Sequence, residues 1–275
     1  MPELPEVETV VRDLRPCLVG RTIRKIETSR LALRGGGKPT SPLKQIVGHT
    51  IRSVTRRGKW IRIEFIGPRL LVHLGMTGQF TTTDATTPRQ NHTHFVASLD
   101  DGRELRFRDV RRFGSITLFD DLAALDRFFV DIGLGPEPFD IAPESWRDRL
   151  KKSGRCLKAC LLDQSLVAGI GNIYADESLF EAALSPRLPG RRLTAKQAER
   201  LRLAVIDVLT RAIHQRGSTI RDYVGGSGLM GGFQDEFRAY GRTGLSCVRC
   251  GTPIKRIVLA GRSTHFCPKC QRSKS

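Results

Sequence analysis

Two stretches of the 275-residue chain, one near each end, carry residues whose types and spacing could do chemistry. The first is Met1-Pro2-Glu3-Leu4-Pro5-Glu6. An initiator Met before Pro is normally trimmed, which would leave Pro2 as a free secondary amine with two carboxylates, Glu3 and Glu6, close behind it. Pro5 suits the first helical position, where a missing N–H costs nothing. Val7, Val10, Val11, Leu14 and Leu18 then follow one helical face, until Pro16 disturbs the last turn. The amine would sit just before a helix N-terminus, where the dipole disfavours its protonated form. An α-amino group starts near a pKa of about 8, so a small downward push leaves it nucleophilic at neutral pH. Such an amine attacks a carbonyl-like carbon and forms a Schiff base. A plain helix start with an acidic first turn accounts for the same residues without any chemistry.

The second stretch is Cys247-x2-Cys250-x16-Cys267-x2-Cys270. Two such knuckles match a tetrahedral zinc site of four thiolates, which leaves no open coordination position and is therefore structural. Lys255–Leu259 and Thr264–Phe266 read as strands joined at Ala260-Gly261-Arg262-Ser263, with Arg262 projecting from the hairpin tip. Of the seven cysteines, Cys17, Cys156 and Cys160 fall outside this motif, and the pair Cys156/Cys160 reads as packing. That usage fits a reducing cytoplasm better than a disulfide framework.

The elements that must position these residues change character along the chain. Thr22–Ile26, Ile51–Thr55, Ile61–Phe65 and Leu105–Arg108 alternate apolar with polar; Leu70–Leu74, Phe95–Leu99 and Ile116–Phe119 are more continuously apolar. Asp100-Asp101-Gly102 is a hairpin turn. Seven short strands over this length predict a β-sandwich. Beyond Asp121 the period becomes helical, with helices expected over Leu122–Phe129, Glu144–Lys152, Leu157–Asp163, Asn172–Ala183 and Thr194–Arg216. The stretches Gly35–Pro42 and Tyr223–Phe233 are glycine-rich and read as loops. The expected class is α+β multidomain. It comprises an N-terminal catalytic β-sandwich with flanking helices (1–132), a linker (133–143), a helical domain (144–240) with a loop at about 217–234, and a zinc hairpin (241–275). No internal repeat is evident.

Composition narrows the partner. The formal net charge is +18 and the pI about 10.3, more than solubility needs, which points to a polyanion. The acidic N-terminus lacks a signal-peptide pattern and no apolar run approaches about 18 residues, so nucleic acid is favoured over membrane.

Several further residues gain meaning together. In Leu161–Glu177, glycines at 169 and 171 precede a helix that Asn172 is suited to cap. Backbone N–H groups exposed there also make an anion site. Lys59 lies in the charge run Arg56-Arg57-Gly58-Lys59, which by itself reads as a solvated face. Met76 lies in His73-Leu74-Gly75-Met76-Thr77-Gly78, while Arg111 and Phe113 lie in Asp109–Gly114.

The opening MPELPEVET, Lys59, the Met76/Arg111/Phe113 trio, LLDQSLVAGIGNIYADE and the zinc hairpin resemble the bacterial formamidopyrimidine-DNA glycosylases from end to end. The resemblance implies a bifunctional DNA glycosylase/AP lyase of base excision repair that removes oxidised purines such as 8-oxoguanine and formamidopyrimidines. It implies Pro2 as nucleophile, Glu3 as proton donor, Glu6 positioning it, and Lys59 reaching the active site. Met76, Arg111 and Phe113 would enter the duplex where a flipped base leaves a void. Asn172 and Arg262 would contact phosphate, with His73, His92, Tyr240 and Arg256 as further DNA contacts. His92, in Asn91-His92-Thr93-His94-Phe95, departs from the KHDH-like family pattern, and Arg256 stands where a Lys is frequent. The helical part resembles the family's helix–two-turn–helix domain. The partner is double-stranded DNA bearing oxidised purines or abasic sites; one structural zinc, a cytoplasmic location, no membrane and a monomer are expected. Two other readings remain: an endonuclease VIII-like enzyme for oxidised pyrimidines, and a non-catalytic zinc-ribbon DNA-binding protein.

Overall fold

The computed structural model describes residues 1–29, 31, 33, 42–219 and 225–272. The expected loop at Gly35–Pro42 lies outside them except for Pro42, and the loop at Tyr223–Phe233 begins outside them at Tyr223 and Val224. The chain divides into two compact units. One is Met1–Ile132 with Gln215–Gly232; the other is Gly133–His214 with Phe233–Ser275.

In the first unit, helix α1 (Leu4–Leu18) is followed by strand β1 (Ile23–Thr28). Then come β2 (Ser53–Arg57), β3 (Trp60–Glu64), β4 (Arg69–His73) and β5 (Gln79–Asp84). The unit continues with β6 (Thr93–Leu99), β7 (Arg103–Arg108), β8 (Ser115–Phe119) and helix α2 (Leu122–Asp131). Two antiparallel four-stranded sheets form, in the orders β1-β6-β7-β5 and β2-β3-β4-β8. Inward residues of both sheets, among them Ile63, Val72, Phe80, Phe95, Phe107 and Leu118, share one core with Val7, Val10, Val11 and Leu14 of α1. This is the expected sandwich, with one strand more than the apolar pattern predicts. Strand β5 escapes that pattern because its sequence, QFTTTD, buries a single side chain, Phe80. Its threonines favour pleated backbone without marking a core face.

Pro5 occupies the second helical position rather than the first, since Leu4 already belongs to α1. Nor does Pro16 end the helix, which continues to Leu18 and closes with the Val19 N–H on Arg15 O at 3.1 Å. The apolar face of Leu14 and Leu18, both fully buried, holds that last turn in place.

The second unit contains α3 (Pro143–Lys151), α4 (Leu157–Leu162), α5 (Asn172–Glu181) and α6 (Ala195–His214). It ends in the hairpin β9 (Lys255–Leu259) and β10 (Arg262–Phe266). Helix α5 packs against α6, α4 and β10. Two sequence expectations are corrected here. The N-cap of α5 is Gly171, in extended backbone, and Asn172 is the first helical residue, with its side chain used elsewhere. The hairpin turn is two residues, Ala260 and Gly261, both at positive φ (48° and 69°), the geometry that matches strand twist. Arg262 therefore opens β10, paired with Leu259, rather than standing at the tip. Among the described residues no helix is long and apolar enough to cross a membrane.

Candidate functional site

The N-terminal chemistry is built on the start of α1. Glu3 and Glu6 cap the helix reciprocally: Glu6 Oε2 accepts the Glu3 N–H at 2.8 Å, and the Glu3 carboxylate accepts the Glu6 N–H. Both carboxylates are buried, as is Pro2, while Met1 is exposed. The second oxygen of Glu6 looks the other way along the sequence. Glu6 Oε1 accepts the Ser218 N–H at 2.7 Å and lies 3.1 Å from Ser218 Oγ. A Cβ on Gly217, whose φ is +73°, would lie 2.7 Å from that same oxygen. One carboxylate thus joins the helix start to the segment Gln215–Gly232.

Lys59 sits in the two-residue turn between β2 and β3, with Gly58 at φ 56°. A lysine at a hairpin tip is ordinarily solvated, yet Lys59 is only 6% exposed. Across β3 and β4, His73 pairs with Trp60, the residue after Lys59, and their rings lie 4.6 Å apart. Burial first, and the Lys59 charge second, push the His73 pKa down to about 4. Its Nδ1 accepts the Gly75 N–H at 3.1 Å, as a neutral imidazole should.

The loops 74–78 and 109–114 form a second cluster in the same unit. Met76 and Phe113 are 40% and 38% exposed. The Arg111 guanidinium lies over the Phe113 ring at 4.7 Å. Beneath them the Asp109 carboxylate, fully buried, accepts from Thr77 Oγ1 at 2.5 Å and from the Gly114 N–H at 2.7 Å. His92 is exposed at φ 67°, and its carbonyl accepts the Asp109 N–H. His94 is buried, with Nε2 donating to the Asp109 carbonyl at 3.0 Å, so it serves the loop rather than solvent.

In the second unit, a buried polar network fastens the hairpin to α5. Lys158 Nζ, fully buried, donates to Asp176 Oδ1 at 2.6 Å and to the Asn172 carbonyl at 2.9 Å. The other Asp176 oxygen receives the His265 N–H at 2.8 Å and faces His265 Nδ1 at 3.0 Å. Glu177 accepts three backbone N–H groups, from Arg238, Ala239 and Tyr240. These bonds gather Tyr240, Asn172, Arg256 and Arg262: the Tyr240 ring lies 5.1 Å from that of His265, and Arg256 pairs with His265 across the hairpin. Asn172 Nδ2 lies 3.3 Å from Ser263 Oγ, while its Oδ1 is buried with no hydrogen-bond partner. Gln164 shapes the turn before α5, accepting from Gly169 N–H and donating to the carbonyls of Leu162 and Ile170.

Three family models cover most of the chain: the formamidopyrimidine-DNA glycosylase N-terminal domain at residues 1–116, its H2TH domain at 133–224, and a zinc finger found in FPG and IleRS at 244–272. The formamidopyrimidine-DNA glycosylase of Geobacillus kaustophilus is 43% identical over 275 residues, 99% of this chain and 100% of that one. That of Chloroflexus aurantiacus is 44% identical over 276 residues, 98% of each. The chain belongs to the formamidopyrimidine-DNA glycosylase family. Among solved structures, a Lactococcus lactis FPG variant in complex with Fapy-dG-containing DNA superposes with a TM-score of 0.90 at 37% identity, covering 99% of this chain and 100% of that one. The MutM (FPG) protein of Thermus thermophilus superposes at 0.87 with 43% identity, covering 100% of both.

The glycosylase family's zinc finger is fully represented. The sulfurs of Cys247, Cys250, Cys267 and Cys270 lie within 4.8 Å of one another, with Cys250–Cys267 at 3.5 Å and Cys247–Cys270 at 4.0 Å. A tetrahedron with Zn–S near about 2.3 Å places its sulfurs about 3.8 Å apart, so the cage fits the ion. Backbone N–H groups of Arg249 and Cys270 point at the Cys247 and Cys267 sulfurs at 3.4 Å each, stabilising thiolates. The four cysteines hold one structural zinc.

Sequence reasoning missed Asp109, Thr77, Ser218, Asp176, Glu177 and His265. Asp109 and Thr77 stand inside the quoted motifs and were passed over because nothing in their spacing says that they meet. A pair of adjacent acids in the middle of a helix, Asp176-Glu177 in α5, was the available signal for the hairpin anchor.

Proposed function

We propose that this chain excises oxidised purines from duplex DNA in base excision repair and cleaves the strand at the resulting abasic site, with Pro2 as nucleophile. What carries the reading is the buried start of α1, where the imino acid stands directly before two carboxylates, each of which accepts the other residue's backbone N–H. With Met1 removed, the Pro2 nitrogen attacks C1′ of the damaged nucleotide and the purine departs with a proton. Glu3 supplies a proton to the opening sugar ring, and Glu6 holds Glu3 and the Ser218 segment in register. The secondary amine yields an iminium, which acidifies the C2′ hydrogen. Its loss expels the 3′ phosphate, and a second elimination expels the 5′ phosphate. Lys59, buried beside a neutral His73, contacts the damaged nucleotide or its phosphate.

Met76, Arg111 and Phe113 enter the duplex at the vacated position, while Asn172, Tyr240, Arg256, Arg262 and His92 grip the backbone. The net charge of +18 supplies sequence-independent affinity. The division of labour is a catalytic region at 1–132, joined in its compact unit by Gln215–Gly232, a helical region within 144–240 and a zinc hairpin at 241–275, in a cytoplasmic monomer. Borohydride trapping on a duplex containing 8-oxoguanine tests the chemistry, because a reduced iminium leaves enzyme and DNA covalently joined. Met-free protein should trap, and protein carrying any residue before Pro2 should not. Equal trapping by both would make another amine the nucleophile. Efficient excision of oxidised pyrimidines in place of purines would overturn the substrate assignment.

A further inference from the structure

Two loops separated by more than thirty residues carry the three side chains proposed above to enter DNA, and they are built as one body. The Asp109 carboxylate divides its oxygens between them: Oδ2 takes the Gly114 N–H at 2.7 Å, and Oδ1 takes the Thr77 hydroxyl at 2.5 Å and the Arg111 N–H at 3.3 Å. Thr77 Oγ1 is itself 3.2 Å from the Arg111 N–H, so the hydroxyl both donates to the carboxylate and accepts from the opposite loop. The backbones also touch. A Cβ at Gly75 would lie 2.4 Å from Gly114 N and 2.5 Å from Phe113 C. One at Gly114 would lie 2.8 Å from the His73 carbonyl and 3.1 Å from Asp109 Oδ2. Neither loop can shift alone by the width of a methyl group without breaking a charge-assisted bond or colliding with the other.

We propose that Asp109 and Thr77 are positioning residues that lock the Met76 loop to the Arg111–Phe113 loop, so that void filling and base-step wedging occur as a single concerted insertion. The proposal rests on the glycosylase reading above. Its physical logic is entropic: two independent loops would each have to be ordered against the cost of unstacking, whereas a preassembled wedge is ordered once, during folding.

Thr77→Val is the discriminating variant, because it keeps the shape and removes the hydroxyl that bridges the loops. Single-turnover excision of 8-oxoguanine paired with cytosine should fall about tenfold more than cleavage of a preformed abasic site, the effect of one hydrogen bond to a charged group. Thr77→Ser should restore it. Asp109→Asn should lose more, since a single amide oxygen cannot accept both the Gly114 N–H and the Arg111 N–H, which the carboxylate takes on separate oxygens. Fluorescence of 2-aminopurine beside the lesion should report slower unstacking in Thr77→Val and normal unstacking in Thr77→Ser. In the parent protein Met76→Ala and Phe113→Ala should be less than additive, and in the Thr77→Val background they should become additive. Wild-type excision and unstacking rates in Thr77→Val would overturn the coupling while leaving the glycosylase reading intact. Equal loss on both substrates with a lowered melting temperature would reduce the pair to fold support and also overturn it. Absence of excision in the parent protein would instead sink the reading on which the proposal rests.

Discussion

The Met76/Arg111/Phe113 loops and the Arg262 hairpin both present side chains on short, exposed backbone, yet they are made rigid by different materials. The first is held by one buried carboxylate and by glycine backbones in contact, resting on the apolar core of a two-sheet sandwich. The second has a small buried cluster, Phe180, Ala239, Cys247, Ile254 and Cys267, two of whose members are zinc ligands. A module that small cannot offset its chain entropy by burial. It is held instead by a metal and by the Asp176 and Glu177 carboxylates. Loss of one fastening should therefore be local and graded in the first region, and collective in the second.

The largest effect should come from Cys247→Ser. Zinc binding supplies on the order of 10 kcal/mol or more of folding free energy in comparable sites. The variant should lose its single equivalent of metal, and hydrogen exchange should show β9 and β10 unprotected while the sandwich strands keep their protection. Duplex affinity should fall steeply. Full protection of the hairpin in metal-free protein would erase the contrast drawn here.

Lys158→Met should come next, by about 3–5 kcal/mol, because it strands the Asp176 carboxylate in the interior without a cation. A thermal melt measures it, and exchange at His265 should rise with it. A loss under about 1 kcal/mol would mean that the backbone and imidazole donors of His265 suffice for Asp176.

A smaller effect in the first region is set by pH. The folded-state pKa of His73 is depressed to about 4, so the unfolded chain, with an imidazole near about 6.5, binds the proton first on acidification. The associated stability is complete above that unfolded value and is lost as pH falls through the folded one. At about 1.4 kcal/mol per unit the loss is on the order of 3 kcal/mol. His73→Gln should flatten the melting temperature between those limits relative to wild type. Parallel curves for the two proteins would show that His73 does not titrate as described.

The smallest change expected is Arg262→Ala. Its side chain is exposed at the start of β10, so the melt should not move. Duplex affinity should drop a few-fold, and the slope of log affinity against log salt should become shallower by about one counterion. An unchanged slope would remove Arg262 from the phosphate contacts.

What the sequence by itself determined is whatever depends on near neighbours. The CxxC knuckles specify a tetrahedral site because four thiolates at that spacing have one good use. Alternation and short apolar runs laid out seven of the eight strands described in the first unit, and Pro-Glu-Leu-Pro-Glu placed a helix start with one acid at its cap and the other in its first turn. The misjudgements at Asn172 and Arg262 were shifts of a residue or two, arising where glycine at 171 and a tight Ala260-Gly261 turn outcompeted side-chain propensity. Only the tertiary structure decided which distant groups share a proton or a charge. Glu6 meets Ser218 across 212 residues, Thr77 meets Asp109 across 32, and Asp176 meets His265 across 89. It also buried Lys59 at a hairpin tip where charge and composition read as a solvated face. Local preferences are written in residue types, but a buried carboxylate takes the donors that chain topology brings within about 3 Å of it, and no spacing along the sequence encodes that meeting.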